Sequence, residues 1–378
     1  MSIGNNYDFE SYCIVGNLVS KGGNVYALTP RYNYGFLFSI IQGLFYKLST
    51  LFSWNPILTF RVMIVSLLTI TDMGISFWIW RRYSIVKAFL FFLNPISIII
   101  TGYHNQFDNI AVLLMLLSVN YFNADERISC NDIKAILLMS LSLITKHIFF
   151  IFFLWILFNR SLKLKKKIMY ALIPPAAFIL GFVPFAWGNI AAYEGIRDNV
   201  FLYRSYNNIP IISPVLDLMW NSRIQILINI REIIYAKYFT LYIAILTVIG
   251  IFNRKNDYQT TVLIYLIAMV AFSSAIANQY LIIPLAALVV LDRGFFSSIY
   301  TILGTVYCIL NGNELHLASK FIRHLNNFEY IITQLAKEGG ILVTLMAWIL
   351  AIFVIKYLWN LLREKEKMEN AIELNRLS

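Results

Sequence analysis

Between Tyr103 and Asn109 the chain reads YHNQFDN, set between two apolar runs, FLFFLNPISIII and IAVLLMLL. His104, Asn105, Gln106 and Asp108 place an imidazole, two amides and a carboxylate within five positions. If the stretch is helical, His104 and Asp108, four apart, share a face, with Asn105 and Asn109 on the adjoining one. Such a face can hydrogen-bond sugar hydroxyls or a phosphate, or support a carboxylate elsewhere. A plainer role is open to part of it: Asn105 or Asp108 can cap a helix beginning at Asn109. A cap explains one polar residue, not four. Two ligands, His104 and Asp108, define no metal geometry, so a divalent metal is possible but unsupported. Other ionisable residues sit inside apolar segments, where they are costly and point to function. Lys146 and His147 lie mid-segment and need a partner, a polar cavity or a route to the interface. Arg61 and Asp72, eleven residues apart, face one way on a helix, which reads as packing between helices.

The elements that must hold these groups are those of a membrane protein. Of 378 residues, 59% are hydrophobic and 13% charged, with a mean hydropathy of +0.67. A soluble domain carries about 25% charged residues. Apolar segments fall near 34–52, 57–80, 84–101, 109–122, 133–158, 168–187, 235–253, 259–275, 280–292, 295–311 and 339–361. They predict an all-α, polytopic transmembrane bundle of ten or eleven helices, because a helix needs about 20 apolar residues to cross a core roughly 30 Å thick. The segment 133–158 is long for one crossing and reads as one tilted helix or two short ones. No internal repeat is visible. The domain expected is a single one over 1–361, with an amphipathic external loop at 1–33 and a charged cytoplasmic tail at 362–378.

The net charge of +11 does not indicate nucleic acid, because the basic residues gather in short connectors: NRSLKLKKK, NRK and the tail REKEK. That is the pattern of cytoplasmic loops. It puts 188–233 and 312–338 on the opposite side, where Arg197 and Arg204 are the best-placed cations for a phosphate and Arg204 lies between Tyr203 and Tyr206. Counting crossings leaves the side of Tyr103–Asp108 dependent on whether 133–158 crosses once or twice; Arg81 and Arg82 favour an external motif. Three widely spaced cysteines, Cys13, Cys130 and Cys308, indicate neither a disulfide framework nor a metal site.

At the N-terminus, YDFESYCIVGNLVSKGGNVYALTPRYNYGFLF resembles the first external loop of the GT-C superfamily of integral-membrane glycosyltransferases. FLNPISIIITGYHNQFDNIAVLL, SLITKHIFFIFFLWILF and SAIANQYLIIPLAAL are similar, in order, to further stretches of that superfamily, together covering about a third of the chain. The family places a membrane helix before the acidic loop, whereas this chain starts seven residues before Asp8; a missing upstream segment is the expectation. The resemblance implies a hexosyltransferase in a bacterial or archaeal cell membrane, acting at the non-cytoplasmic face. The donor is a polyprenyl-phosphate-linked sugar and the acceptor a lipid-linked or cell-envelope glycan. Asp8 is the implied general base, although Asp before FESYC also fits a helix N-cap. Glu10, two residues on, does not share its helical face. His104, Gln106, Asp108, Lys146, Arg204, Gln279 and Tyr280 are the expected substrate-binding residues, Lys146 matching the family's lysine and a candidate for the lipid phosphate. No cofactor is implied. Two rival classes share the composition: a polysaccharide or lipid-linked oligosaccharide flippase, which predicts paired discontinuous helices, and a glycan polymerase, which usually carries its main polar loop late in the chain.

Overall fold

The computed structural model describes residues 6–51, 55–122, 125, 127–202, 208–310 and 339–377, and every regular element among them is helical. The chain opens with α1 (Tyr7–Ser20), α2 (Val25–Leu28) and α3 (Phe36–Ser49), followed by α4 (Pro56–Arg82) and α5 (Ile85–Phe92). A short turn, α6 (Pro95–Ser97), runs into a π-helical turn, Ile98–His104, before α7 (Asp108–Val119). Next come α8 (Cys130–Thr145), a 3-10 turn (His147–Phe149), α9 (Phe152–Phe158) and α10 (Leu164–Leu180). The helices α11 (Val183–Ala186), α12 (Ile190–Ile196) and α13 (Ser213–Asn221) lead into α14 (Gln225–Phe252) and α15 (Tyr258–Ala271). The described chain closes with α16 (Leu285–Leu291), α17 (Phe295–Leu310) and α18 (Gly339–Leu377).

Among the described residues, four helical stretches are long and apolar enough to cross a membrane: Pro56–Arg82, Leu164–Ala186, Gln225–Lys255 and Gly340–Arg363. Two bent pairs bring the number to six if each is one span. Their starts are marked locally. Asn55 caps α4 by accepting from the Leu58 amide, with Pro56 in the first turn, where its missing N–H costs nothing. At the centre lies α15, apolar all round and fully buried from Val262 to Ala268, as a helix enclosed by other helices must be.

Two apolar segments differ from the sequence expectation, and at 133–158 the structure takes the two-helix alternative. The run near 34–52 yields α3, 14 residues long and about 21 Å at ~1.5 Å per residue, short of a bilayer core. It packs along α1 instead, where Gly43 leaves room for Val19. Near 84–101 the helix breaks before Asn94-Pro95 and bends by 41°. The long run 133–158 is two helices meeting at 111°, with Lys146 at the break.

Side-chain links show which connectors lie together. At one end of the bundle Arg82 donates to Asn120 and Gln259, the Arg160 amide to the Arg254 carbonyl, and Asn256 to the Tyr357 hydroxyl. Lys166 pairs with Asp132 at 2.8 Å in the same layer. At the other end Asn6 donates to the His104 carbonyl, Arg61 to that of Tyr103, and Asn24 to that of Phe185. Gly35 meets Ile144 there so closely that a Cβ would stand 1.9 Å from its carbonyl oxygen. The basic connectors therefore share one end, and YHNQFD shares the other with the N-terminal helices. Because α8 runs from the first end to the second and α9 turns back, 133–158 is a hairpin rather than one crossing.

Candidate functional site

The N-terminal helix frees Asp8 for other work. Asn6, not Asp8, caps α1: its side chain accepts from the Phe9 amide at 2.8 Å and donates to the His104 carbonyl at 3.3 Å. Asp8 is the second residue of α1, and its carboxylate turns toward the YHNQFD stretch. Gln106 Nε2 donates to Asp8 Oδ2 at 2.6 Å and lies 2.9 Å from His104 Nδ1. His104 Nδ1 is itself 3.6 Å from Asp8 Oδ2. The amide orientation follows from the carboxylate, since the reverse would set two oxygens against each other. Gln106 Nε2 thus sits between Asp8 Oδ2 and His104 Nδ1 and bridges them. His104 is wholly buried, whereas 24% of the Asp8 side chain is exposed. Asp8 is thus the cluster's outlet to solvent.

The π turn that delivers these groups has its carbonyls accounted for. The Gln106 amide donates to Ile100, the Asn105 side chain to Thr101 and Gly102, Arg61 to Tyr103 and Asn6 to His104. Asn105 ends the turn with φ at 64°, a left-handed conformation that asparagine tolerates better than most side chains. Asp72, buried on α4, holds the other side by accepting from Ser97, Thr101 and Asn109. His104 and Asp108 consequently do not share one helix face; the left-handed turn between them separates two helices. Nor is α7 capped by a side chain, for Phe107 stands at that position and Asp108 points elsewhere.

Asp108 pairs with Lys146. Its Oδ2 lies 2.7 Å from Lys146 Nζ, and both side chains are buried. The ammonium also sits 4.7 Å from the Tyr34 ring centre and 4.9 Å from that of Phe107, a setting that favours a desolvated cation. Phe38 stacks on the far face of this layer against Phe107, and Tyr12 meets both rings edge-on. Burial pushes the Tyr12 phenol well above its ordinary range, and the Asp8 charge adds to the effect, so the hydroxyl stays protonated. Tyr12 OH, Gln106 Oε1 and Asp108 Oδ1 are buried without a hydrogen-bond partner. Each such atom costs about 1–3 kcal/mol.

A groove of about 1230 Å³ runs between α1 and the first turns of α4; Phe9, Gly102 and Tyr103, near the cluster in sequence, line it, and Asp8 itself does not. Glu10, Arg31 and Arg61 stand at its polar part, and Val62 and Val65 line its aliphatic part. Arg31 lies over the Tyr7 ring and 3.8 Å from Glu10. The groove thus combines an apolar wall with two arginines, Arg31 near Glu10 and Arg61 donating to the Tyr103 carbonyl.

No family model matches this chain, and no match is found among curated proteins or solved structures. The site therefore rests on its own geometry. Of the expected residues, Asp8, His104, Gln106, Asp108 and Lys146 come together. Glu10 faces the groove. Gln279 and Tyr280 lie on a 3-10 turn, Asn278–Ile282, that packs against the π turn and α7, beside the framework of the cluster. Arg204, with Tyr203 and Tyr206, and the region 312–338 lie outside the described residues; Arg197 is exposed and pairs with Asp198. Lys146, matched by Asp108, is not the cation facing the groove; Arg31 and Arg61 are. Among the described residues no group of three or more His, Cys, Asp or Glu side chains is arranged around a metal position. The sequence reading missed Tyr12, Tyr34 and Asp72 as members of the site. For Asp72 a signal existed, since its shared face with Arg61 is the face that meets the π turn.

Proposed function

We propose that this chain is an integral-membrane glycosyltransferase with a GT-C-like helix arrangement. It moves a hexose from a polyprenyl-phosphate-linked donor to a lipid-linked or cell-envelope glycan acceptor. One observation carries the reading: a part-exposed carboxylate, Asp8, is held by Gln106 at 2.6 Å, next in sequence to Phe9 in the wall of a groove that also presents Arg31 and Arg61. The basic connectors at the far end favour the cytoplasm, so Asp8 belongs to the non-cytoplasmic face of a bacterial or archaeal cell membrane.

In this scheme the acceptor hydroxyl attacks the anomeric carbon as its bond to the phosphate oxygen breaks. The bonding pair leaves with the phosphate, and Asp8 takes the hydroxyl proton as a positioned base. Arg31 and Arg61 hold the departing phosphate electrostatically, Val62 and Val65 accept the start of the prenyl chain, and Gln106 with His104 keeps the carboxylate aimed. The buried Asp108–Lys146 pair fixes the break between α8 and α9 beneath them. No cofactor enters the scheme. The test is transfer of radiolabelled hexose in membranes containing the protein, screened across polyprenyl-phosphate donors. Label passing to a glycan or lipid fraction from one donor supports the proposal; none from any donor, with endogenous acceptors present, counts against it.

A second reading, translocation of a lipid-linked glycan, is favoured by the two bent helix pairs, 41° and 111°, because transporters commonly bind at broken helices. It predicts movement of lipid-linked glycan across vesicle membranes with no glycosidic bond made.

A further inference from the structure

We propose a second binding site, at the basic end of the bundle, for the phosphate of an anionic lipid headgroup. A cavity of about 430 Å³ opens between α17 and α18 and is lined by Asp292, Arg293, Phe296, Phe353, Lys356 and Asn360, among others. Its one carboxylate is already engaged. Asp292 accepts from the Gly294 and Ser297 amides at 3.0 and 2.9 Å and from the Ser297 hydroxyl at 3.1 Å, holding the start of α17. Arg293 and Lys356 have no such employment. Among the described residues neither makes a salt bridge or a hydrogen bond; Lys356 lies over Phe296, 5.3 Å from the ring centre. Two unmatched cations at the rim, an amide beside them and a floor of buried Phe296 and Phe353 make a site polar above and apolar below.

A free anion would use the rim alone and leave the aromatic floor against water. A glycerophospholipid uses both: phosphate between Arg293 and Lys356, with Asn360 donating to a headgroup oxygen, and glycerol and first methylenes on the rings. The location agrees, because this end carries the connectors expected on the cytoplasmic side, where anionic lipids contribute about 1 kcal/mol per nearby basic residue. The geometry is independent of the Asp8 cluster, so the site stands whether or not that cluster transfers sugar.

The test is native mass spectrometry of the full-length protein in detergent, offered an equal mixture of phosphatidylglycerol and phosphatidylcholine. Wild type is expected to retain phosphatidylglycerol preferentially, and Arg293→Gln with Lys356→Gln to lower that preference by about thirtyfold. Lys134→Gln, which removes another exposed cation at the same end, should leave it unchanged. Millimolar inorganic phosphate should not displace the lipid. An unchanged preference in the double variant overturns the site, and so does an equal loss from Lys134→Gln, which would reduce it to general surface charge. Binding of inorganic phosphate alone, with displacement of lipid, overturns the lipid assignment. If the double variant fails to fold, Lys356→Gln alone carries the test with a several-fold loss.

Discussion

Asp8 and Gln106 are 98 positions apart, yet they are the pair on which the site turns. On the proposed mechanism Gln106 is a positioning residue, since it acts through the carboxylate it holds. Its replacement by alanine should lower kcat for transfer by about tenfold to a hundredfold, the usual effect of letting a reacting group drift by an ångström. Donor KM should stay near the wild-type value, and initial rates at varied donor concentration separate the two. Gln106→Glu should be worse, because it sets a second carboxylate against Asp8. The Asp108–Lys146 pair behaves differently. Removing only Lys146 leaves a buried charge without its counterion, at a cost of about 3–5 kcal/mol. Lys146→Ala should therefore unfold at a lower temperature than Lys146→Ala combined with Asp108→Ala, a comparison that thermal melts in detergent can make.

The elements explain why these residues meet. The π turn reaches its end only because Asn105 accepts a left-handed backbone, so Asn105→Val should destabilise the protein by about 1–2 kcal/mol while Asn105→Gly costs less. Gly35→Ala drives a methyl into the Ile144 carbonyl and should push α3 from the break at Lys146, with loss of both stability and transfer. These features also mark how far the sequence could be read. YHNQFD was legible as more than a cap, because four adjacent polar side chains in an apolar setting exceed what one helix end can use. The shared helical face of His104 and Asp108 was a sound inference from spacing that the left-handed turn at Asn105 defeats. The hairpin at 133–158 was legible as an alternative, since a lysine and a histidine cannot sit mid-helix in hydrocarbon without a partner. That partner, Asp108, lies on another element, and no local pattern names it. The shortfall at 34–52 has the same character: its residues are apolar enough for lipid, but packing against α1 decided where α3 lies.

For the molecule as a whole, the separation of charge is the organising feature. Basic connectors from distant parts of the sequence gather at one end, and Asp8, YHNQFD and the Arg31–Arg61 groove occupy the other. With Cys130→Ser as background, Glu10→Cys should react with a membrane-impermeant maleimide added outside intact cells, and Lys165→Cys only after lysis. Labelling of both from outside, or of neither, would break the link between positive connectors and the sidedness of the site. The most direct test of the central claim compares Asp8→Asn with Glu10→Gln in the radiolabelled transfer assay, with both variants inserted at wild-type levels. The account predicts that Asp8→Asn loses at least about a hundredfold in rate, as loss of a general base does, while Glu10→Gln keeps most of it. Transfer by Asp8→Asn at the wild-type rate would contradict it.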